Sequence, residues 1–141
     1  QAQRIGKPLF HARLEVPARQ AAELAGKRVY AFAGIGRPEK FFATLAGIGA
    51  QLVGSRAFPD HHVFRRDEIV ALQRAAKACD ARLVTTEKDF ARLRPLSAFI
   101  DPALPQPWSQ PVELTIADQP AFDAFMKGAI AEAVLARKAS A

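Results

Sequence analysis

At 141 residues the chain has the length of one compact domain, and 50% hydrophobic residues give it enough apolar material for one buried core. A single cysteine, Cys79, excludes any disulfide within the chain, and no apolar run approaches the roughly 20 residues that a membrane-spanning helix needs. The formal net charge of +6 suits an acidic partner, but the basic residues scatter from Arg4 through Lys40 and Arg66 to Arg94 with no aromatic ladder among them, which argues against nucleic acid.

The opening stretch QAQRIGKPLFHARLEV has none of the regions of a signal peptide. Within it LFHARLEV, residues 9–16, alternates as a strand does until Pro17 ends it. A short polar, alanine-rich stretch closes at Gly26, and RVYAFAGIG, 28–36, is then an almost unbroken apolar run of the kind found in a strand buried on both faces. Pro38 stands where a first helical turn belongs, and Phe41, Phe42, Leu45 and Ile48 recur at helical spacing up to Gly47 and Gly49.

The order repeats. AQLVGSRAF, 50–58, predicts a strand, and after FPDHHVF a helix from Arg66 or Asp67 sets Ile69, Leu72, Ala76 and Cys79 on one face. ARLVTTE, 81–87, is a further strand running into the short helix KDFARL, which Pro95 ends. A proline-rich connection, 101–111, carries Trp108. The strand PVELTIA follows, with Asp118 as a cap and a last helix whose face is Phe122, Phe125, Met126, Ala129, Ile130, Ala133 and Val134.

Strands alternating with helices predict an α/β three-layer sandwich with a mostly parallel sheet, because parallel neighbours need crossover connections. The first strand is the exception, placed at an edge or in a linker. The expected division is 1–17 as linker or edge strand, 18–138 as an α/β domain and 139–141 as a frayed tail.

Ligands in such sheets meet the loops at the carboxyl ends of the strands, and AGIGRPEK, FPDHHVF and TTEKD all fall there. Gly34 and Gly36 suit either a tight turn or a close approach to phosphate at a helix start. A dinucleotide fingerprint fails because Glu39 stands where its third glycine belongs, and no GxxxxGK followed by Ser or Thr occurs in the chain. In FPDHHVF the residues suit a solvated loop, acid/base or phosphate-contacting work by one histidine, or a metal site. Adjacent side chains of an extended segment diverge, so His61 and His62 are poorly placed to share one ion. In TTEKD, Thr85 or Thr86 caps a helix whose positive end favours Glu87 and Asp89, while Lys88 is free to meet a phosphate or a neighbouring domain.

Taken in order, AFAGIGRPEKFFATL, LVGSRAFPDHHVF, ARLVTTEKDFARL and LPQPW before a final strand resemble the C-terminal part of the tetraacyldisaccharide 4'-kinases, the bacterial lipid A kinases. The resemblance implies a two-domain P-loop enzyme that uses ATP and Mg to phosphorylate the 4'-hydroxyl of a tetraacylated disaccharide 1-phosphate. It also implies cytoplasmic work at the face of the inner membrane, with no nucleic acid involved. The nucleotide cradle and magnesium ligands would belong to an N-terminal P-loop domain absent from this sequence, so the chain is expected to be inactive alone, with no cofactor held tightly and no metal site of its own. By resemblance His61 is the histidine of the family's Asp-His motif, catalytic with Asp60 orienting it, while Gly34, Gly36, Arg37, Glu87, Lys88 and Asp89 are candidates for substrate or domain-junction contacts. A stand-alone phosphate- or nucleotide-binding or scaffolding module and a metal-dependent phosphoesterase are the alternatives.

Overall fold

The computed structural model describes residues 8–139. In chain order the elements are β1 (Ala12–Glu15), α1 (Ala18–Leu24), β2 (Arg28–Ala33), α2 (Pro38–Gly47), β3 (Gln51–Ala57), α3 (Arg66–Ala78), β4 (Arg82–Thr86), α4 (Glu87–Arg92), a 3-10 helix (Arg94–Phe99), β5 (Pro107–Gln110), β6 (Glu113–Ile116) and α5 (Gln119–Ala139). They form two compact units: Val16–Val112, and the described parts of Gln1–Glu15 and Glu113–Ala141.

The larger unit is a three-layer α/β sandwich around a four-stranded sheet of order β3-β2-β4-β5, with every pair parallel. The near-continuous apolar run of β2 is explained by its two covered faces. Val29, Ala31 and Ala33 pack with Leu24 of α1 and Phe41 and Leu45 of α2. Phe32 turns the other way, against Phe64, Leu83 and the Ile69, Leu72 and Ala76 stripe of α3. Phe32 is wholly buried, and burial of that kind is worth about 1.5–3 kcal/mol per large apolar side chain.

The two crossover helices stop by the same device. At the end of α2, Gly49 takes a φ of 84°, its N–H meets Ala46 O, and the Ala50 N–H reaches Leu45 O. At the end of α3, Asp80 takes the corresponding place with a φ of 47°, its N–H on Lys77 O and the Ala81 N–H on Ala76 O. Both are left-handed caps that satisfy the last helical carbonyls and turn the chain into the next strand.

Two elements differ from the sequence expectation. The alanine-rich stretch before Gly26 is the helix α1, anchored by Leu24. The proline-rich connection 101–111 contains β5, which extends the sheet beside β4. Proline is compatible with β5 because Pro107 is the first residue of an edge strand, where one missing ladder donor is tolerated.

In the smaller unit β6 pairs antiparallel with β1, Ala12 opposite Ile116 through Glu15 opposite Glu113. The last strand therefore joins the first strand and not the parallel sheet, although the sequence order predicts a continuation of the α/β domain 18–138. Phe10 packs edge-on to Phe122 of α5, with ring centroids 5.3 Å apart, and against Phe125 at 5.5 Å. Much of the remaining apolar face of α5, including Met126, Ile130 and Val134, is exposed. Of the expected tail 139–141 only Ala139, the last residue of α5, lies among the described residues, and residues 1–7 of the expected linker lie outside them.

Candidate functional site

β2 is flanked by β3 on one side and β4 on the other, so the chain leaving β2 goes to one side of that strand and the chain leaving β3 crosses to its other side. Such a reversal of strand order opens a crevice at the carboxyl ends of the two central strands. The loop after β2 (Gly34–Arg37), the loop after β3 (Phe58–Val63) and the β4–α4 junction (Thr86–Asp89) meet there.

Asp89 organises the junction. Its carboxylate is fully buried, yet Oδ2 accepts the Gly34 N–H at 2.9 Å and the Thr86 hydroxyl at 2.8 Å. Oδ1 is paired with Arg92 Nη1 at 2.8 Å, one helical turn along α4. Thr86 caps α4, its hydroxyl accepting the Asp89 N–H at 3.2 Å, whereas Thr85 is buried and donates to Phe32 O at 2.9 Å, tying β4 to β2. Asp89 thus sits near the positive end of α4, as the sequence predicts, but its larger task is to hold the loop after β2.

Gly34 is where that loop is tight enough that a side chain would make its neighbours give way. A Cβ there would lie 3.2 Å from His62 Cβ, 3.3 Å from Asp89 Oδ1 and 3.4 Å from Pro59 O. At Gly36 the nearest atom would be Asp60 Oδ2 at 3.4 Å, an ordinary contact. The close approach at Gly34 is therefore to the protein's own loop and carboxylate.

The two histidines separate completely. His62 turns inward, stacks on Phe58 at 4.7 Å between centroids, meets Phe64 edge-on, and places Nε2 2.9 Å from Glu68 Oε2. The same Glu68 oxygen accepts the Arg65 N–H at 2.9 Å at the start of α3. Burial alone would raise the Glu68 carboxyl, but the hydrogen bonds from His62 and the Arg65 amide together hold it below its ordinary value. His61 turns outward and its side chain is 82% exposed. Its backbone has a φ of 58°, and its N–H is shared between Gly34 O at 3.1 Å and Asp60 Oδ1 at 3.0 Å. Arg92 Nη2 reaches His61 Nδ1 at 3.1 Å, and Asp60 Oδ2 lies 3.8 Å from His61 Nε2.

Of the residues picked from sequence, the structure brings Gly34, Gly36, Asp60, His61 and Asp89 together, while Arg37, Glu87 and Lys88 stand exposed at the edge of the same crevice. Sequence reading missed Arg92 and Glu68. The spacing of Arg92, three residues after Asp89 on a helix, was the signal available for it. A metal reading of FPDHHVF is at odds with this arrangement, since one ring is committed to Glu68 and the other to Arg92. Among the described residues no group of three or more His, Cys, Asp or Glu side chains could hold a metal ion. A groove of about 690 Å³ opens at the opposite ends of the strands beside Lys27, Arg28, Arg82 and Trp108, away from these residues.

The fold and the crevice define a doubly wound parallel α/β domain with one presented histidine at its topological switch point. The family described as Tetraacyldisaccharide-1-P 4'-kinase matches residues 1–131, and the chain belongs to that family. Similar relatives include the tetraacyldisaccharide 4'-kinase of Methylobacterium radiotolerans, 59% identical over 92 residues, which are 65% of this chain and 27% of that protein. Those of a Bradyrhizobium species (55% over 89 residues, 63% of this chain and 26% of the relative) and a Chelativorans species (50% over 93 residues, 66% and 26%) are comparable. The matched region thus spans about a quarter of the length of these relatives. No solved structure matches the chain.

Proposed function

We propose that this chain is the part of a tetraacyldisaccharide 4'-kinase that presents His61 to the reacting sugar hydroxyl. The enzyme would transfer the γ-phosphate of ATP to the 4'-hydroxyl of a tetraacyldisaccharide 1-phosphate at the cytoplasmic face of the inner membrane. The observation that carries the reading is the contrast within Asp60-His61-His62: one ring is turned inward and held by Phe58 and Glu68, and the other is held outward at the strand switch point on a left-handed backbone. Sparsely populated backbone conformations of this kind cluster at functional sites.

The described residues do not fit Mg-ATP. They contain no glycine-rich phosphate cradle and no cluster of metal-ligating side chains, so neither nucleotide nor magnesium binding falls to them. We place nucleotide binding in the remainder of the enzyme, as the partner of this domain. The exposed apolar face of α5 supports a partner surface, and no helix among the described residues is long and apolar enough to cross a membrane. Phosphoryl transfer depends mainly on positioning and charge stabilisation, and the work of this chain would be to orient the acceptor hydroxyl through His61, with Asp60 fixing the histidine backbone.

The test is 4'-kinase activity with Mg-ATP and the lipid disaccharide for three proteins: the chain alone, the chain fused to the remaining part of the Methylobacterium radiotolerans kinase, and that fusion carrying His61→Ala. Activity is expected only in the fusion, and the variant should lose about 100-fold or more, the usual scale for removing one positioned hydrogen-bonding group at a reacting centre. A fusion indifferent to His61→Ala would make the loop structural. A folded but inactive fusion would favour a stand-alone binding or scaffolding module.

A further inference from the structure

We infer that Arg92, fixed by buried Asp89, is a positioning residue that holds the neutral His61 ring with its proton on Nε2, so that His61 meets its partner in the crevice as a hydrogen-bond donor and not as a proton acceptor. The inference rests on the reading of His61 as the residue that faces the reacting group.

The chemistry of the two side chains leaves little choice. A guanidinium has only donors, so Nη2 of Arg92 at 3.1 Å from His61 Nδ1 requires a lone pair on that nitrogen. The single proton of the neutral ring then resides on Nε2. Protonation of Nδ1 would turn an N–H toward a cation and break the contact.

Arg92 is not free to swing away and accommodate the other tautomer. Its Nη1 donates both to Gly34 O at 2.9 Å and to Asp89 Oδ1 at 2.8 Å. Asp89 is itself immobilised by the Gly34 N–H and the Thr86 hydroxyl. The histidine is pinned from the other side, because its own N–H shares the Gly34 carbonyl with Arg92. Backbone and ring of His61 are thus referenced to one peptide group at the end of β2, and the charge of Arg92 is balanced by a carboxylate that no solvent reaches. The Nε2 edge, with Asp60 Oδ2 3.8 Å away, is the edge left exposed for a partner. An Nε2–H aimed there can orient a sugar oxygen or a carboxylate, and removal of the hydroxyl proton falls to a group other than His61.

The experiment is a long-range proton–nitrogen correlation spectrum of the 15N-labelled chain at about pH 8, above the ordinary histidine range. His61 should show a pyridine-like Nδ1 and a pyrrole-like Nε2 at their full separation, without the averaging of a ring that exchanges tautomers. In Arg92→Lys, whose single ammonium cannot serve Asp89, Gly34 and His61 together, that separation should shrink toward the averaged value of a free histidine. The His62 signals, set by Glu68, should stay in place and report that the fold is intact. A pyrrole-like Nδ1 or an averaged His61 ring in the wild-type chain would overturn the inference, whether or not the variant folds. Unchanged His61 shifts in a folded Arg92→Lys would overturn it as well. These spectra do not depend on kinase activity: a fusion indifferent to His61→Ala would remove the catalytic reading and leave the tautomer assignment standing.

Discussion

The buried carboxylate of Asp89 accepts the backbone N–H of Gly34 at 2.9 Å across 55 residues of chain, joining the ends of the two strands between which the sheet reverses its order. Removing the carboxylate would leave the Gly34 amide without its acceptor and the Arg92 guanidinium without its counter-ion. Breaking a buried pair from one side costs about 3–5 kcal/mol. Asp89→Ala should lose stability on that scale in urea denaturation, and Asp89→Asn, which keeps one acceptor oxygen, should lose about 1–3 kcal/mol. A loss below about 1 kcal/mol for Asp89→Ala would mean that the loops are held by packing alone.

The two glycines of the loop after β2 should behave differently. At Gly34 a methyl would press on His62 Cβ, Asp89 Oδ1 and Pro59 O at 3.2–3.4 Å, none of them the end of a flexible chain. Gly34→Ala should therefore cost about 1–3 kcal/mol, the range for overpacked sites. Gly36→Ala, facing only the Asp60 carboxylate at ordinary distance, should stay within about 0.5 kcal/mol of the parent. Paired thermal melts decide the matter, and equal losses at the two positions would remove the steric account of Gly34.

These relationships show which features the sequence exposes. The apolar run of β2 declares a strand covered on both faces because Val29 and Phe32 each find a separate cluster. The stripes of α2 and α3 are likewise local, repeating at the helical period. Pairing of β1 with β6 is not local: Ala12 and Ile116 are brought together by tertiary folding, and four-residue strands have too little pattern to announce a partner. β5 hides behind its prolines for the same reason. At the site, the three loops are readable from strand order, but the sorting of His61 from His62 is not. It depends on Phe58, Phe64 and Glu68 capturing one ring and Arg92 the other.

Glu68 should make stability depend on acid pH. Its folded carboxyl is held below the ordinary value of 4.5, although burial acts the other way, by hydrogen bonds from His62 and the Arg65 amide. A carboxyl lowered in the folded state binds protons more readily when unfolded, so its contribution is fully present above that ordinary value and is lost as pH falls through the folded value. Glu68→Gln should flatten the acid side of a stability-against-pH profile, below about pH 4.5. An unchanged acid limb in the variant would show that Glu68 contributes no such linkage.

Substitutions at His61 should separate stability from activity. Its φ of 58° is a conformation that costs an ordinary L-residue about 1–2 kcal/mol, histidine being among the more tolerant types. Glycine adopts it freely but loses more freedom on folding, and the ring contact with Arg92 disappears, so His61→Gly should fold within about 1 kcal/mol of the parent. A β-branched residue has neither the tolerance nor the contact, and His61→Val should lose about 1–2 kcal/mol. In the kinase fusion both variants should fall about 100-fold or more despite their different stabilities. If activity instead followed stability, with His61→Gly near the parent and His61→Val depressed, the imidazole would have no part in the reaction and the loop would serve only as a turn between β3 and α3.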